Sequence, residues 1–558
     1  MIEDFSETAM SQMTVYTARN IRTMNPSLPE ATVVAVKDGR IIEVGTLESM
    51  APWLEAHDHV VDNRFKDHIL MPGFVDPHLH PTIGSMLLPC HWVTAMEWQL
   101  PDRVSPAIKT HEGFMDRLAE IERSLSDPRE ILISWGYHKI WHGDVYRKQL
   151  NRISDSRPIF VCQRSFHEIV ANDAGIDWME PARDELERHE QVDLETGRFF
   201  ETGMFLALKS LKRIMMDPER FAQGMAQMKK LMHRGGETTV GDMAFPLTDE
   251  AFEWEMLSDN FGSDDAPFRI AITPRGINDM ASYGGRTADE LKRVNELEER
   301  STDKLRFTNS IKLFADGGFN AELMQLLPPG YIDGHHGEWM MAPEVFEDLA
   351  RLYWNAGKQI HVHCTGDLGV ELALSVLEKL QAERPRFNHR FTIEHLGVST
   401  PEQVRRIKDH GGIVSAAVYY VHELGEAYWH GSIGFERASQ MSRMGTLERL
   451  GVMTGFHSDF LVSPPQPLKL AWVAVNRIAE SGAVLGERER TSLDFAMRAI
   501  TIDAAYVLNM ENEIGSIRAG KLADFTVLEA DPWETPLEDL KDIPIWGTVF
   551  EGRPFPIK

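Results

Sequence analysis

Six side chains that bind divalent cations, or can be converted to do so, are spread over most of this sequence: His78, His80, Lys312, His363, His395 and Asp459. The first pair closes the run Met71-Pro72-Gly73-Phe74-Val75-Asp76-Pro77-His78-Leu79-His80. Residues two apart on a strand point to one face, so His78 and His80 can grip a single ion. Each of the other four closes a short apolar run. Imidazole and carboxylate suit zinc and similar divalent ions. A lysine ammonium only donates hydrogen bonds and cannot bind a cation. Lys312 joins the set if carbon dioxide has converted its amine to a carbamate, which is anionic and can bridge two ions. The neutral amine this requires is favoured when a lysine is desolvated near positive charge. Donors so far apart in sequence meet if parallel strands deliver them to one mouth.

The elements that must position them alternate in type. Eight candidate strands begin near Ile69, Thr238, Phe268, Asn309, Gln359, Phe391, Gly412 and Val452. Amphipathic helical stretches lie between most of them, such as Pro343 to Asn355, Gly369 to Ala382 and Pro401 to His410. Alternation implies parallel strands joined by crossover helices. The expected fold is therefore α/β, a (β/α)8 TIM barrel over residues 72–508, with its active site at the C-terminal ends of the strands. Strand one is followed by strand two only after about 160 residues, where a βα unit takes ~30. The stretch 81–237 is thus expected as an inserted lid or substrate subdomain. Residues 13–71 and 509–558 read as short alternating strands, with an Asp38-Gly39 hairpin turn. Together the two ends are expected to build a small β-sandwich domain. Residues 1–12 read as a loose tail.

The chain has 558 residues, ample for a large core. Its formal charge of -27 argues against nucleic acid as a partner, because phosphate binding needs a basic surface. Three widely spaced cysteines, Cys90, Cys162 and Cys364, make a disulfide framework unlikely to be the stabilising device and fit a reducing, cytoplasmic setting. The acidic N-terminus lacks the apolar core of a signal peptide, and no run of about 18 apolar residues predicts a membrane span.

The sequence resembles the amidohydrolase superfamily, specifically the amidohydrolase-3 group that includes N-substituted formamide deformylases. The resemblance is carried by Pro72 to His80, Ile311-Lys312-Leu313-Phe314-Ala315-Asp316-Gly317-Gly318, His363-Cys364-Thr365-Gly366-Asp367, Ile393-Glu394-His395, Ser458-Asp459 and the tail from Gly515 to Phe525. It implies a binuclear site, with zinc or other divalent ions. His78, His80 and Asp459 would hold one ion, His363 and His395 the other, and carboxylated Lys312 would bridge them. It further implies a metal-dependent hydrolase that cleaves the C–N bond of a small-molecule N-substituted amide or formamide by a metal-activated hydroxide, with Asp459 as the proton carrier. An ester or lactone hydrolase on the same site is the alternative. A deaminase is disfavoured, because that branch has a Glu where this chain has Gly366. A catalytically inactive binding protein is disfavoured because no ligand is lost. Relatives leave room for a homo-oligomer.

Departures from the family pattern border the expected cleft. His457 stands where Gly is common, Arg164-Ser165-Phe166-His167 where Asp-Gly-His is common, and Cys364-Thr365-Gly366-Asp367 where Ala-Ile-Gly-Asp is common. His167, Glu201, Asp316 and Trp135 are candidate substrate contacts, and Asp367 is another. Trp135 belongs to an aromatic stripe with Tyr137, His138, Trp141 and His142. His361 shares a strand face with His363 and is expected to pack or to orient a ligand. Asp459 could also serve as a simple cap, and the His335-His336 pair reads as loop.

Overall fold

The computed structural model describes residues 12–247, 249–277 and 287–557. Residues 1–11 of the expected tail lie outside the described residues. Eight strands run through the middle of the chain: β1 (Phe74–Leu79), β2 (Glu237–Phe245), β3 (Arg269–Pro274), β4 (Ser310–Phe314), β5 (Gln359–Cys364), β6 (Thr392–His395), β7 (Ile413–Ala416) and β8 (Thr454–Phe456). β1, β2 and β3 pair in parallel, and β4 to β8 pair in parallel in succession. A parallel bridge between Arg275 and Lys312 joins β3 to β4. At the other junction the Asp459 N–H donates to the His78 carbonyl at 2.9 Å, and the Ser458 N–H donates to the Asp76 carboxylate at 3.1 Å. First and last strands therefore lie side by side, and the strand ends face a common centre.

These strands are buried on both faces, as parallel strands covered by helices must be. The helix Pro343–Asn355 shows why the crossovers form where the sequence places them. Proline at its first turn needs no hydrogen-bonded N–H there. Its buried residues Phe346, Leu349, Ala350, Tyr353 and Trp354 recur at the spacing of one helix face. Each large apolar side chain so buried contributes roughly 1.5–3 kcal/mol. Pro401–Asp409 starts with a reciprocal cap between Thr400 and Gln403.

Both chain ends meet in one seven-stranded sheet that includes Met13–Arg22, Glu30–Lys37, Arg40–Gly45, His59–Pro72, Phe525–Leu528 and Ile545–Phe550. Asp38 and Gly39 have φ of 51° and 73°, the left-handed pair that a two-residue hairpin turn demands. The first of the eight parallel strands begins later than the expected Ile69. Ile69 to Pro72 pair with Phe525–Leu528 in the terminal sheet, and β1 starts at Phe74. One apolar run serves two sheets, and Gly73 makes the crossing. Its N–H donates to Asp524 O at 2.8 Å, and a Cβ there would overlap the Thr238 side chain. Gly73→Ala is therefore expected to cost about 1–3 kcal/mol, read as a lower denaturant midpoint at unchanged slope; an unshifted midpoint would contradict this packing.

Between β1 and β2 lies a six-stranded sheet formed from segments within 91–200. All three cysteines are buried and unpaired. No helix among the described residues is long and apolar enough to cross a membrane.

Candidate metal centre

Strand ends bring all six expected donors to the wall of one cavity, about 930 Å³ including its open mouth. His78 and His80 follow from β1. The His78 Nδ1 lies 2.6 Å from Glu394 Oε2, which leaves Nε2 facing Asp459 Oδ1 at 3.6 Å. His80 Nε2 lies 3.2 Å from the same oxygen, and His395 Nδ1 lies 3.5 Å from Asp459 Oδ2. The His395 ring centre is 4.5 Å from that of His363 and 4.8 Å from that of His78. Two sets of donor atoms lie close enough to hold an ion: His78, His80 and Asp459, and His78, His395 and His457.

Three polar atoms at this site are buried without a hydrogen-bond partner: Lys312 Nζ, His363 Nε2 and His395 Nε2. An orphaned buried polar atom costs about 1–3 kcal/mol. The two imidazole nitrogens fit a site whose missing partners are cations, and the lysine nitrogen fits such a site once converted to a carbamate. Burial pushes His363 and His395 well below the ordinary imidazole range, into the neutral form that ligates metals. Burial also lowers the Lys312 amine, while Glu394 and Asp459 oppose that shift. The neutral amine is the form that takes up carbon dioxide. Burial pushes the Asp459 carboxyl up, but the His78 and His80 imidazoles facing it hold it well below the usual carboxylate range. His395 and Asp459 both have positive φ, 69° and 49°. Such backbone is uncommon outside glycine and collects at functional sites.

Around these donors stands a shell that the sequence reading saw only in part. Glu394 is fully buried between two imidazoles, with Oε1 2.6 Å from His361 Nδ1 and Oε2 2.6 Å from His78 Nδ1. Burial raises its carboxyl, yet Lys312 and His361 bring it down to about 2. His361 thus orients rather than ligates, as expected. Asp76 accepts from the N–H groups of His78 and Ser458, and burial raises it to about 7 against those bonds.

His457 was visible only as a departure from the family pattern. Its Nε2 lies 3.2 Å from His395 Nδ1 and its Nδ1 lies 2.7 Å from Ser415 Oγ. Among the tautomer sets that satisfy both contacts is one in which His395 Nδ1–H donates to His457 Nε2 and His457 Nδ1–H donates to Ser415 Oγ. That set leaves His395 Nε2 bare for a metal. Its place two residues before Asp459 at the end of β8 was the available signal. His457→Ala is expected to weaken divalent-ion binding by about 10–100-fold, measured by competition with a chromogenic chelator; unchanged affinity would contradict the orienting role.

The four candidate substrate contacts divide evenly. His167 and Glu201 line the cavity, joined by a 2.8 Å contact between His167 Nδ1 and Glu201 Oε2. Glu201 Oε1 also accepts from the Gly318 N–H at 3.0 Å. The His167 ring centre is 5.4 Å from that of His363. Asp316 and Trp135 are absent from the described lining of this cavity. Asp316 is buried, and its carboxylate accepts the backbone N–H groups of Thr365, Gly366 and Gln325 at 2.8–3.0 Å. It shapes the loop after β5. Trp135 packs against Trp92 and Trp98 inside the inserted sheet, with ring centres 4.1 and 5.7 Å away. Asp367 accepts from Leu327 N and pairs with Arg437, away from the lining.

The inserted stretch supplies Ser165, Phe166, His167, Glu201, Met204 and Phe205 to the cavity wall. Arg164 anchors it, pairing with Glu423 and donating to the Val462 carbonyl at 2.6 Å.

The sequence model of the amidohydrolase family matches residues 66–555. Protein LONG AFTER FAR-RED 3 of Arabidopsis thaliana is 24% identical over 530 residues, covering 92% of this chain and 86% of its own. N-substituted formamide deformylase of Arthrobacter pascens is 23% identical over 550 residues, covering 96% of each chain. Among solved structures, an uncharacterized metal-dependent hydrolase from Pyrococcus horikoshii superposes with a TM-score of 0.70 at 20% identity, covering 94% of this chain and 99% of its own.

Proposed function

The chain belongs to the amidohydrolase family, and on that premise we propose that it hydrolyses the C–N bond of an N-substituted amide or formamide with the help of two divalent cations, zinc first among them. The three buried donor atoms without partners, on Lys312, His363 and His395, carry this reading. His78, His80 and Asp459 would hold one cation, His363 and His395 the other, and Lys312 as its carbamate would bridge them. When bound, such cations lower the pKa of a water and polarise a carbonyl oxygen.

The chain's own groups do the rest. Glu394 and His457 engage Nδ1 of His78 and of His395, which leaves the opposite ring nitrogens for a cation. Asp459 takes the proton of the attacking water and hands it to the leaving nitrogen. His167, whose Nδ1 is tied to Glu201, offers its other ring nitrogen to the substrate. Phe205, Phe245, Leu247, Phe314 and Met340 line the same cavity and suit an apolar N-substituent while excluding water. Residues 81–237 act as the segment that shapes substrate choice.

The test is a panel of N-formyl and N-acetyl amines, with lactones of similar size, given to protein stripped of metal and reloaded with zinc. Turnover of the amides that vanishes on chelation and returns with zinc is expected. Turnover of the lactones alone, or turnover that survives exhaustive metal removal, would overturn the proposal.

A further inference from the structure

One acidic group on the cavity wall plays no part in the chemistry above. Asp242 stands near the end of β2 and is 3% exposed. Its Oδ2 is buried without a hydrogen-bond partner. Close by on the same wall is Glu253, 1% exposed, from the helix Glu250–Phe261. The Glu253 carboxylate accepts the N–H groups of Leu247 at 2.8 Å and Asp249 at 3.1 Å. It therefore has a structural task at the helix start, and Asp242 has none. Asp242 pairs in register with Leu79, and the same wall carries the apolar Phe245 and Leu247 and the guanidinium of Arg275, which donates to the Leu247 carbonyl at 3.1 Å. Native proteins seldom leave a buried carboxyl unsatisfied without a use for it.

We propose that Asp242 forms a cation-recognition subsite, which receives an ammonium or guanidinium group carried on the substrate's N-substituent. The inference rests on the amide-hydrolase reading for the identity of that substituent. A cation is favoured over a neutral donor because the neighbouring charged group is Glu253, of the same sign, and an entering positive charge relieves both. Burial, with Glu253 adding to it, pushes the Asp242 carboxyl well above its usual range, and an entering cation would favour its ionised form. The chain's net charge of -27 also raises the local concentration of cationic ligands.

The test compares N-formyl-4-(aminomethyl)benzylamine with N-formyl-4-methylbenzylamine, which differ in the ammonium alone. Zinc-loaded wild-type protein is expected to favour the ammonium compound by about tenfold or more in kcat/KM, mainly through KM. Asp242→Asn should bring that ratio close to one, and Glu253→Gln should reduce it. A wild-type ratio near one, or a ratio undiminished in Asp242→Asn, would overturn the proposal. If Asp242→Asn does not fold, the wild-type ratio and Glu253→Gln decide. If neither formamide is turned over, the amide reading fails by itself. Calorimetric binding of 4-(aminomethyl)benzylamine against 4-methylbenzylamine then reads the subsite directly, and equal affinities would overturn it.

Discussion

Lys312→Ala is expected to lower turnover by roughly 10³-fold or more, about 4 kcal/mol of lost transition-state stabilisation. The reason lies in where Nζ sits. It is buried, has no hydrogen-bond partner, and lines the same cavity as His78, His363 and His395. An unmodified ammonium there would repel the cations, whereas a carbamate would hold them. The variant should also bind less zinc per chain than the wild type. The space vacated by the side chain should admit a small carboxylate, so acetate or propionate should restore part of the activity. Full activity and full metal content in Lys312→Ala would show that this lysine is no bridge.

Asp459→Asn is the second large effect. A positioned proton carrier contributes typically 10²–10⁴-fold, and the loss should fall on kcat rather than KM. The carboxylate lies 3.2 Å from His80 and 3.6 Å from His78, so some weakening of metal binding is expected too. Assays at saturating zinc separate the two effects. A variant whose defect disappears at saturating zinc would make Asp459 a ligand and nothing more.

The legibility of this molecule in its sequence follows the range of the forces involved. Helix Pro343–Asn355 was readable to the residue, because its start signal and its apolar face are both local. The six donors were readable because they close strands and because the motifs around them resemble a known family. Strand β1 was placed five residues early, since the apolar run through Ile69 does not reveal that Gly73 hands the chain from one sheet to the next. Asp316 and Trp135 lie off the described cavity lining for a related reason. The partners that occupy them, backbone N–H groups near residue 365 and the indole of Trp92, are far away in sequence. Glu394 and His457 lay next to recognised ligands, yet their orienting roles depend on distances between strands that no spacing encodes. The six-stranded sheet within 91–200 escaped because its strands are short, several of only two to four residues.

The measurement that bears most directly on the proposed centre is a crystal structure of zinc-loaded protein with anomalous data collected on both sides of the zinc edge. Two anomalous peaks are expected, one against His78, His80 and Asp459 and one against His363 and His395, with density for a carboxylated Lys312 between them. Peaks elsewhere in the molecule, with these six side chains bound to no ion, would contradict the proposal.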